Sequence, residues 1–153
     1  METAVWDWLQ DHYFSVSQPT VKNLSGVEPL ILASKQGRSD VVTFLLSQGA
    51  PLEVLDEYGN NALWAACYAE SGSCIAALLD AGIDLNYQNP ASGATALMYA
   101  ASSGREETVK QLLAAGADAN LQNHDDFTAL DLASTRTILK LLSAYIKAQA
   151  PAY

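Results

Sequence analysis

Basic residues are scarce in this chain: eight Lys and Arg stand against 17 Asp and Glu in 153 residues, a formal net charge of −9. Phosphate backbones reward dense basic patches, so nucleic acid is not an expected partner. The acidity has two readings, steering of a basic protein surface or simple solubility, and composition alone does not separate them. Cysteine is nearly absent, limited to Cys67 and Cys74. Two thiols make no disulfide framework and have no metal-ligand spacing, which points to a reducing, cytoplasmic setting. Histidine is limited to His12 and His124. No activated serine, phosphate-cradling glycine loop or paired metal ligands accompany them, so neither catalysis nor a cofactor is expected. No run approaches the ~20 apolar residues of a membrane helix. The opening Met1-Glu-Thr-Ala-Val-Trp-Asp-Trp8 lacks the basic start and unbroken apolar core of a secretory signal. Membrane insertion is therefore not expected.

What the chain does have is apolar content and a period. Half its residues are hydrophobic and 16% are charged, enough for a buried core within the size of one domain. Four segments share one pattern: Glu28-Pro-Leu-Ile-Leu-Ala33, Asn61-Ala-Leu-Trp-Ala-Ala66, Thr95-Ala-Leu-Met-Tyr-Ala100 and Thr128-Ala-Leu-Asp-Leu-Ala133. Their starts lie 33, 34 and 33 residues apart. In the first three units a Leu pair follows 15 residues after the leading Leu: Leu45-Leu46, Leu78-Leu79 and Leu112-Leu113. Val42, Ile75 and Val109 precede these pairs by three residues, on the same helical face. Gly49, Gly82 and Gly116 close the units in the way that ends helices. Thr or Asn before the first helix offers a cap for its free N–H groups, and Pro29 suits the first helical turn. The small Ala allows two helices to approach closely. Each unit reads as two short antiparallel helices that bury their faces only by stacking on neighbours.

The pattern resembles the ankyrin repeat over roughly residues 23–145, most closely in Gly93-Ala-Thr-Ala-Leu-Met-Tyr-Ala-Ala-Ser-Ser-Gly104 with Val109, Leu112 and Leu113. The resemblance implies an all-α solenoid of stacked helix-turn-helix units joined by short β-hairpin loops. The expected division is an N-terminal capping helix and connector over 1–22, three full repeats over 23–127, and a shortened C-terminal capping repeat and tail over 128–153. The first segment carries Trp6, Leu9 and Tyr13 at helical spacing. In the last, Leu130 to Leu141 spans 11 residues, read as a trimmed inter-helix turn before a helix around Ile138 to Lys147. Other departures from the family pattern are Glu70 at an inter-helix glycine position, Asp126 at a loop glycine position, and a lengthened loop at Asn89-Pro-Ala-Ser-Gly93.

By the same resemblance, binding belongs to the finger-like loops and the concave face of the first helices. The matching loop positions are Leu24, Ser25 and Val27; Glu57, Tyr58 and Asn60; Ala91, Ser92 and Ala94; and His124, Asp125 and Phe127. On the first helices they are Lys35 and Gln36, Tyr68 and Ala69, and Ser102 and Ser103. Tyr58, Tyr68 and Phe127 lead this set because rigid aromatics anchor contact patches. Trp64 reads either as a wall behind them or as core, and Tyr99 as core or groove floor. The third finger reads as small and smooth, open to close approach by a partner. His12 and His124 read as surface residues, Asp125-Asp126 as turn filler, Cys67 as a buried spacer and Cys74 as partly exposed. The expected function is a non-catalytic protein–protein interaction module, an adaptor, assembly factor or inhibitor. At this length no room remains beside the repeats for a catalytic domain, so any activity would come from a partner. Two alternatives stay open: a small ligand-binding protein or enzyme with a site between repeats, and a structural protein that self-associates through Trp6, Trp8, Tyr13 and Phe14. The oligomeric state is not determined by the sequence, with a monomer favoured.

Overall fold

A computed structural model describes residues 2–150; Met1 and residues 151–153, at the two ends of the expected terminal segments, lie outside the described residues. Among the described residues there are nine α-helices and no strand. The chain forms two compact units that part between Ile83 and Asp84. The first contains α1 (Glu2–Asp11), α2 (Pro29–Lys35), α3 (Ser39–Ser47), α4 (Ala62–Tyr68) and α5 (Gly72–Asp80). The second contains α6 (Ala96–Ser102), α7 (Glu106–Ala114), α8 (Ala129–Leu132) and α9 (Arg136–Gln149).

These helices are short, and isolated helices of such length are marginal in water. Side-chain caps fix the starts of α4, α5, α6, α8 and α9, whereas α2, α3 and α7 have none. Asn61, Thr95 and Thr128 each accept a backbone N–H of the first turn of α4, α6 and α8, as their sequence positions imply. Thr128 goes further and forms a reciprocal capping box with Asp131. Glu28 makes no such bond, and Pro29, which has no N–H to satisfy, opens α2 instead. Ser71 and Thr135 cap the second helices α5 and α9.

Packing supplies the rest of the stability. In the first unit α2 lies against α3 and α4, α4 against α5, and α3 against both α1 and α5. In the second, α6 lies against α7 and α8, and α9 against α7 and α8. The seams are lined by the periodic apolar residues: Val42 and Leu45, Ile75 and Leu78, Val109 and Leu112, and Ile138 and Leu142 are wholly buried. Burial of one such side chain stabilises the fold by about 1.5–3 kcal/mol. Only one leucine of each pair is buried, and the last repeat uses the second, because Leu142 follows Ile138 by a full helical turn. That repeat is shortened in its first helix, since α8 has four residues where α4 and α6 have seven. The three residues between α8 and α9 match the three between α4 and α5, so the inter-helix turn itself is not trimmed.

Helix α1 is held to the first repeat by a polar chain as well as by burial of Val5, Trp8 and Leu9. Trp8 Nε1–H donates to Gln36 Oε1 at 2.7 Å, and the Gln36 amide N–H donates to His12 Nε2 at 3.2 Å. His12 Nδ1–H in turn donates to the Trp8 carbonyl at 2.8 Å. Indole is a donor only, so it fixes the Gln36 amide orientation and with it which ring nitrogen of His12 donates. Trp8 also stacks on Phe14 with ring centroids 5.4 Å apart. Neither His12 nor Gln36 is therefore a bystander on the surface.

The finger loops are turns rather than strand pairs, and an Asn or Asp at a fixed register closes each of them. Asn23, Asp56, Asn89 and Asn123 recur at spacings of 33, 33 and 34. Asn23 Oδ1 accepts the N–H of Ser25 and Val27, Asp56 Oδ1 that of Tyr58 and Asn60, and Asn123 Oδ1 that of Asp125 and Phe127. Asn89 Oδ1 accepts from Ala91 N–H in the lengthened loop. Short carboxylate or amide side chains satisfy turn N–H groups in this way without a partner strand.

Cys74 proves to be fully buried rather than partly exposed. It occupies the position of Val41 and Thr108, next to the buried Val42 and Val109, so the second helix turns it inward. Burial pushes its thiol above the ordinary value, with a smaller opposing effect from Ser71, and the thiolate is disfavoured. Cys67 is likewise buried, as a spacer should be.

Glu70 takes φ 52° where the neighbouring repeats have Gly37 and Gly104 at 68° and 75°, and Asp126 takes φ 67° in the fourth finger. A side chain in this left-handed region costs about 1–2 kcal/mol, less for Asp. Glu70→Gly is expected to raise the unfolding free energy by about 0.5–1 kcal/mol, after the entropy that glycine adds to the unfolded chain. Urea denaturation measures this, and a loss of stability would show that contacts of the Glu70 side chain outweigh its backbone strain.

Candidate interaction surface

In the first unit, the sequence-derived residues gather around the first two fingers and the ends of α2 and α4. Leu24, Val27, Lys35, Glu57, Tyr58 and Tyr68 are all exposed, with Tyr58 at 70% and Tyr68 at 55%. Lys35 Nζ sits over the Tyr68 ring, 5.5 Å from its centroid, a cation–π contact that joins α2 to α4 across the surface. Asn60 is half-buried, its N–H held by Asp56. Trp64 is half-buried too, between the two readings that its position allowed. Gln36, in contrast, is taken up by Trp8 and His12. Ala69 is half-buried at the end of α4, and Ser25 is exposed.

A cleft of about 380 Å³ opens between the two fingers, bringing Val27, Lys35, Glu57 and Tyr58 together with Glu28, Ile31, Leu55 and Asp56. The last four were not singled out from sequence. Leu55 is 41% exposed. The signal for it was present, because an apolar residue immediately before a turn-forming Asp belongs to the loop and not to either helix.

In the second unit the arrangement differs from expectation. The third finger is braced by the fourth, while Ala91 and Ser92 at its tip stay exposed. His124 N–H donates to the Ser92 carbonyl at 2.8 Å, and His124 Nδ1–H donates to the Ala91 carbonyl at 3.2 Å. Gly93 is buried beneath this contact with φ 73°, and a Cβ there would lie 2.6 Å from His124 Cδ2 and 2.8 Å from His124 N. Gln88 bridges the same two loops, donating to the carbonyls of Gly93 and Gln122. His124 thus braces a neighbouring loop, although its residue as a whole is exposed. Ser92, Asp125 and Phe127 are exposed, with Phe127 at 48%, and Ala94 is half-buried. Ser102 and Ser103 are exposed, and both hydroxyls donate to the Tyr99 carbonyl. Tyr99 is half-buried, its hydroxyl accepting from Arg105 at 3.2 Å.

Of the four aromatics at the N-terminus, Trp8 and Phe14 are core, Trp6 is half-buried edge-on to Phe44, and Tyr13 is exposed. Among the described residues no group of three or more His, Cys, Asp and Glu side chains gathers in a way that could hold a metal ion. No helix among them is long and apolar enough to cross a membrane.

Helix pairs at a 33–34-residue period, joined by turn-closed fingers, define a class, and comparison with known proteins agrees with it. The family described as ankyrin repeats (3 copies) matches residues 7–89 and 85–150. Similar proteins include a probable E3 ubiquitin-protein ligase, XBOS34, of Oryza sativa subsp. japonica, 36% identical over 71% of this chain and 21% of that protein. An L-asparaginase of Dirofilaria immitis is 34% identical over 74% of this chain and 19% of its own length. Ankyrin repeat and SOCS box protein 11 of Danio rerio is 33% identical over 74% of this chain and 38% of its own length. The chain thus spans between about a fifth and two fifths of these relatives, whose named activities belong to much longer proteins. The chain belongs to the ankyrin repeat family. Ankyrin repeats are general protein–protein interaction modules, and the family is generally non-catalytic.

The bracing role of His124 makes a stability prediction. Gly93→Ala adds a clash with His124 to its backbone strain, while Gly116→Ala in the same unit adds strain alone, because nothing lies within 4 Å of the new methyl. Gly93→Ala is expected to lose about 1–3 kcal/mol more than Gly116→Ala in denaturant unfolding. Equal losses would mean that the two fingers do not hold each other.

Proposed function

We propose that this chain is a non-catalytic interaction module, an adaptor, assembly factor or inhibitor, that docks a protein through its finger tips and the concave ends of its first helices. The observation that carries the reading is the division of apolar residues. One apolar stripe on each second helix is buried, whereas Leu24, Leu55, Tyr58, Tyr68 and Phe127, at finger and first-helix positions of their units, are exposed. Tyrosine and phenylalanine held on rigid helix ends and closed turns lose little conformational freedom on binding, which favours them as anchors. The surplus of carboxylates favours a partner with a basic surface, recruited faster at low ionic strength. In this reading the protein acts as a monomer in the cytoplasm. Helix α1 serves as an N-terminal cap and α8 with α9 as a C-terminal cap around three full repeats over 23–127.

Affinity purification with the chain as bait, followed by mass spectrometry, supplies the partner, and the double substitution Tyr58→Ala/Tyr68→Ala then tests the face. Both side chains are exposed, so the far-ultraviolet circular dichroism is expected to be unchanged while partner affinity falls by at least about 2 kcal/mol, the scale of an aromatic hot spot. Unchanged affinity in a folded double variant would remove this face from the proposal.

A further inference from the structure

The cleft between the first two fingers is more selective than a general protein-docking face. Its apolar lining comes from Ile31 and Leu32 of α2 together with Val27, Leu55 and Tyr58. Val27, Leu55 and Tyr58 are exposed although each is a residue type that folding ordinarily covers. Around this apolar lining stand Glu28, Asp56 and Glu57, against Lys35 as the one basic residue among those lining it. The Lys35 ammonium is drawn to the Tyr68 ring, so the rim keeps its acidic surplus. Asp56 is fixed in place because the same side chain closes the second finger by accepting from Tyr58 and Asn60. Two chemistries therefore coincide in about 380 Å³: space for a bulky apolar side chain, and fixed negative charge around the opening.

The first finger also exposes an apolar residue outside the cleft. Leu24, farther along the first finger, is fully exposed and is not part of the cleft lining. A ligand confined to the cleft would leave Leu24 in water, whereas a chain passing through it would cover both. We propose, building on the interaction-module reading, that this cleft takes a short linear segment of a partner protein carrying one bulky aliphatic or aromatic residue with Lys or Arg beside it. The apolar residue enters between Val27 and Leu55, and the basic neighbours face Glu28, Asp56 and Glu57. Charge complementarity selects the segment and speeds encounter, while the buried apolar residue sets its residence time.

The test uses the full chain and a phage-displayed library of random linear peptides, panned at low ionic strength. Enriched peptides are synthesised with a fluorescent label, and their affinities are measured by anisotropy for the parent chain and for variants that keep its circular dichroism. The expected peptides share an apolar residue flanked by Lys or Arg. Their affinity falls at least about tenfold with Val27→Arg/Leu55→Arg, which fills the cleft, and with Glu57→Lys, which reverses part of the rim. It also falls as ionic strength rises toward ~1 M, where charges are screened within about 3 Å. Leu139→Ala, at an exposed position of α9 in the other unit, leaves it unchanged. Enriched peptides without basic residues, no enrichment at all, or affinities that survive both cleft variants would overturn the assignment. Loss of peptide binding with Tyr68→Ala or Phe127→Ala but not with the cleft variants would overturn the cleft while keeping the interaction-module reading. Indifference of both peptides and natural partner to every one of these substitutions would sink the two together.

Discussion

The structure rests on the burial of one apolar stripe on each second helix. Val42 and Leu45, Ile75 and Leu78, Val109 and Leu112, and Ile138 and Leu142 have no exposed surface. Among the described residues the longest helix has 14 residues, a length that is marginal in isolation, so the helices are held by neighbours within their unit. Side-chain caps then set where α4, α5, α6, α8 and α9 begin, and closed turns carry the chain from one pair to the next. The first helices bury a face of their own, with Leu30, Leu63 and Leu97 in the core, so that only their ends and the fingers display Leu24, Tyr58, Tyr68 and Phe127.

Much of this was legible in the sequence because it repeats. The leucine ladder, the Asn or Thr caps and the left-handed positions of Glu70 and Asp126 each occur at a fixed register, so comparison of the units reveals their roles. The same comparison could have placed Cys74 inside, since its counterparts Val41 and Thr108 lie on the inner face. It could also have found the turn-closing Asn23, Asp56, Asn89 and Asn123, which share a period and a type of side chain. What escaped was specific to single units. The Trp8–Gln36–His12 chain uses residues whose counterparts one period on are Val41, Ala69 and Leu45, so no periodicity announces it. The closure of His124 over Gly93 depends on the extra residue in the third finger, whose path only three-dimensional packing determines. The shortening of α8 was visible as a length, but not the helix that would absorb it.

The candidate binding residues divide in the same way. Exposure of Tyr58, Tyr68 and Phe127 agrees with their register in the repeat. Gln36 and His124 occupy equally suitable registers, yet each is bonded within the chain. A register tells which residues face a groove, and it does not tell which of them already have work to do. Leu55, Glu28 and Asp56 entered the surface for the opposite reason, since their positions act in turns and helix starts while their side chains border the cleft.

Amide hydrogen exchange of the full chain, resolved by residue, measures the dependence on neighbour stacking most directly. The slowest amides are expected in α3, α5, α7 and α9 around Val42, Ile75, Val109 and Ile138, with the finger loops exchanging much faster. Protection greatest in the fingers, or uniform along the chain, would contradict the account.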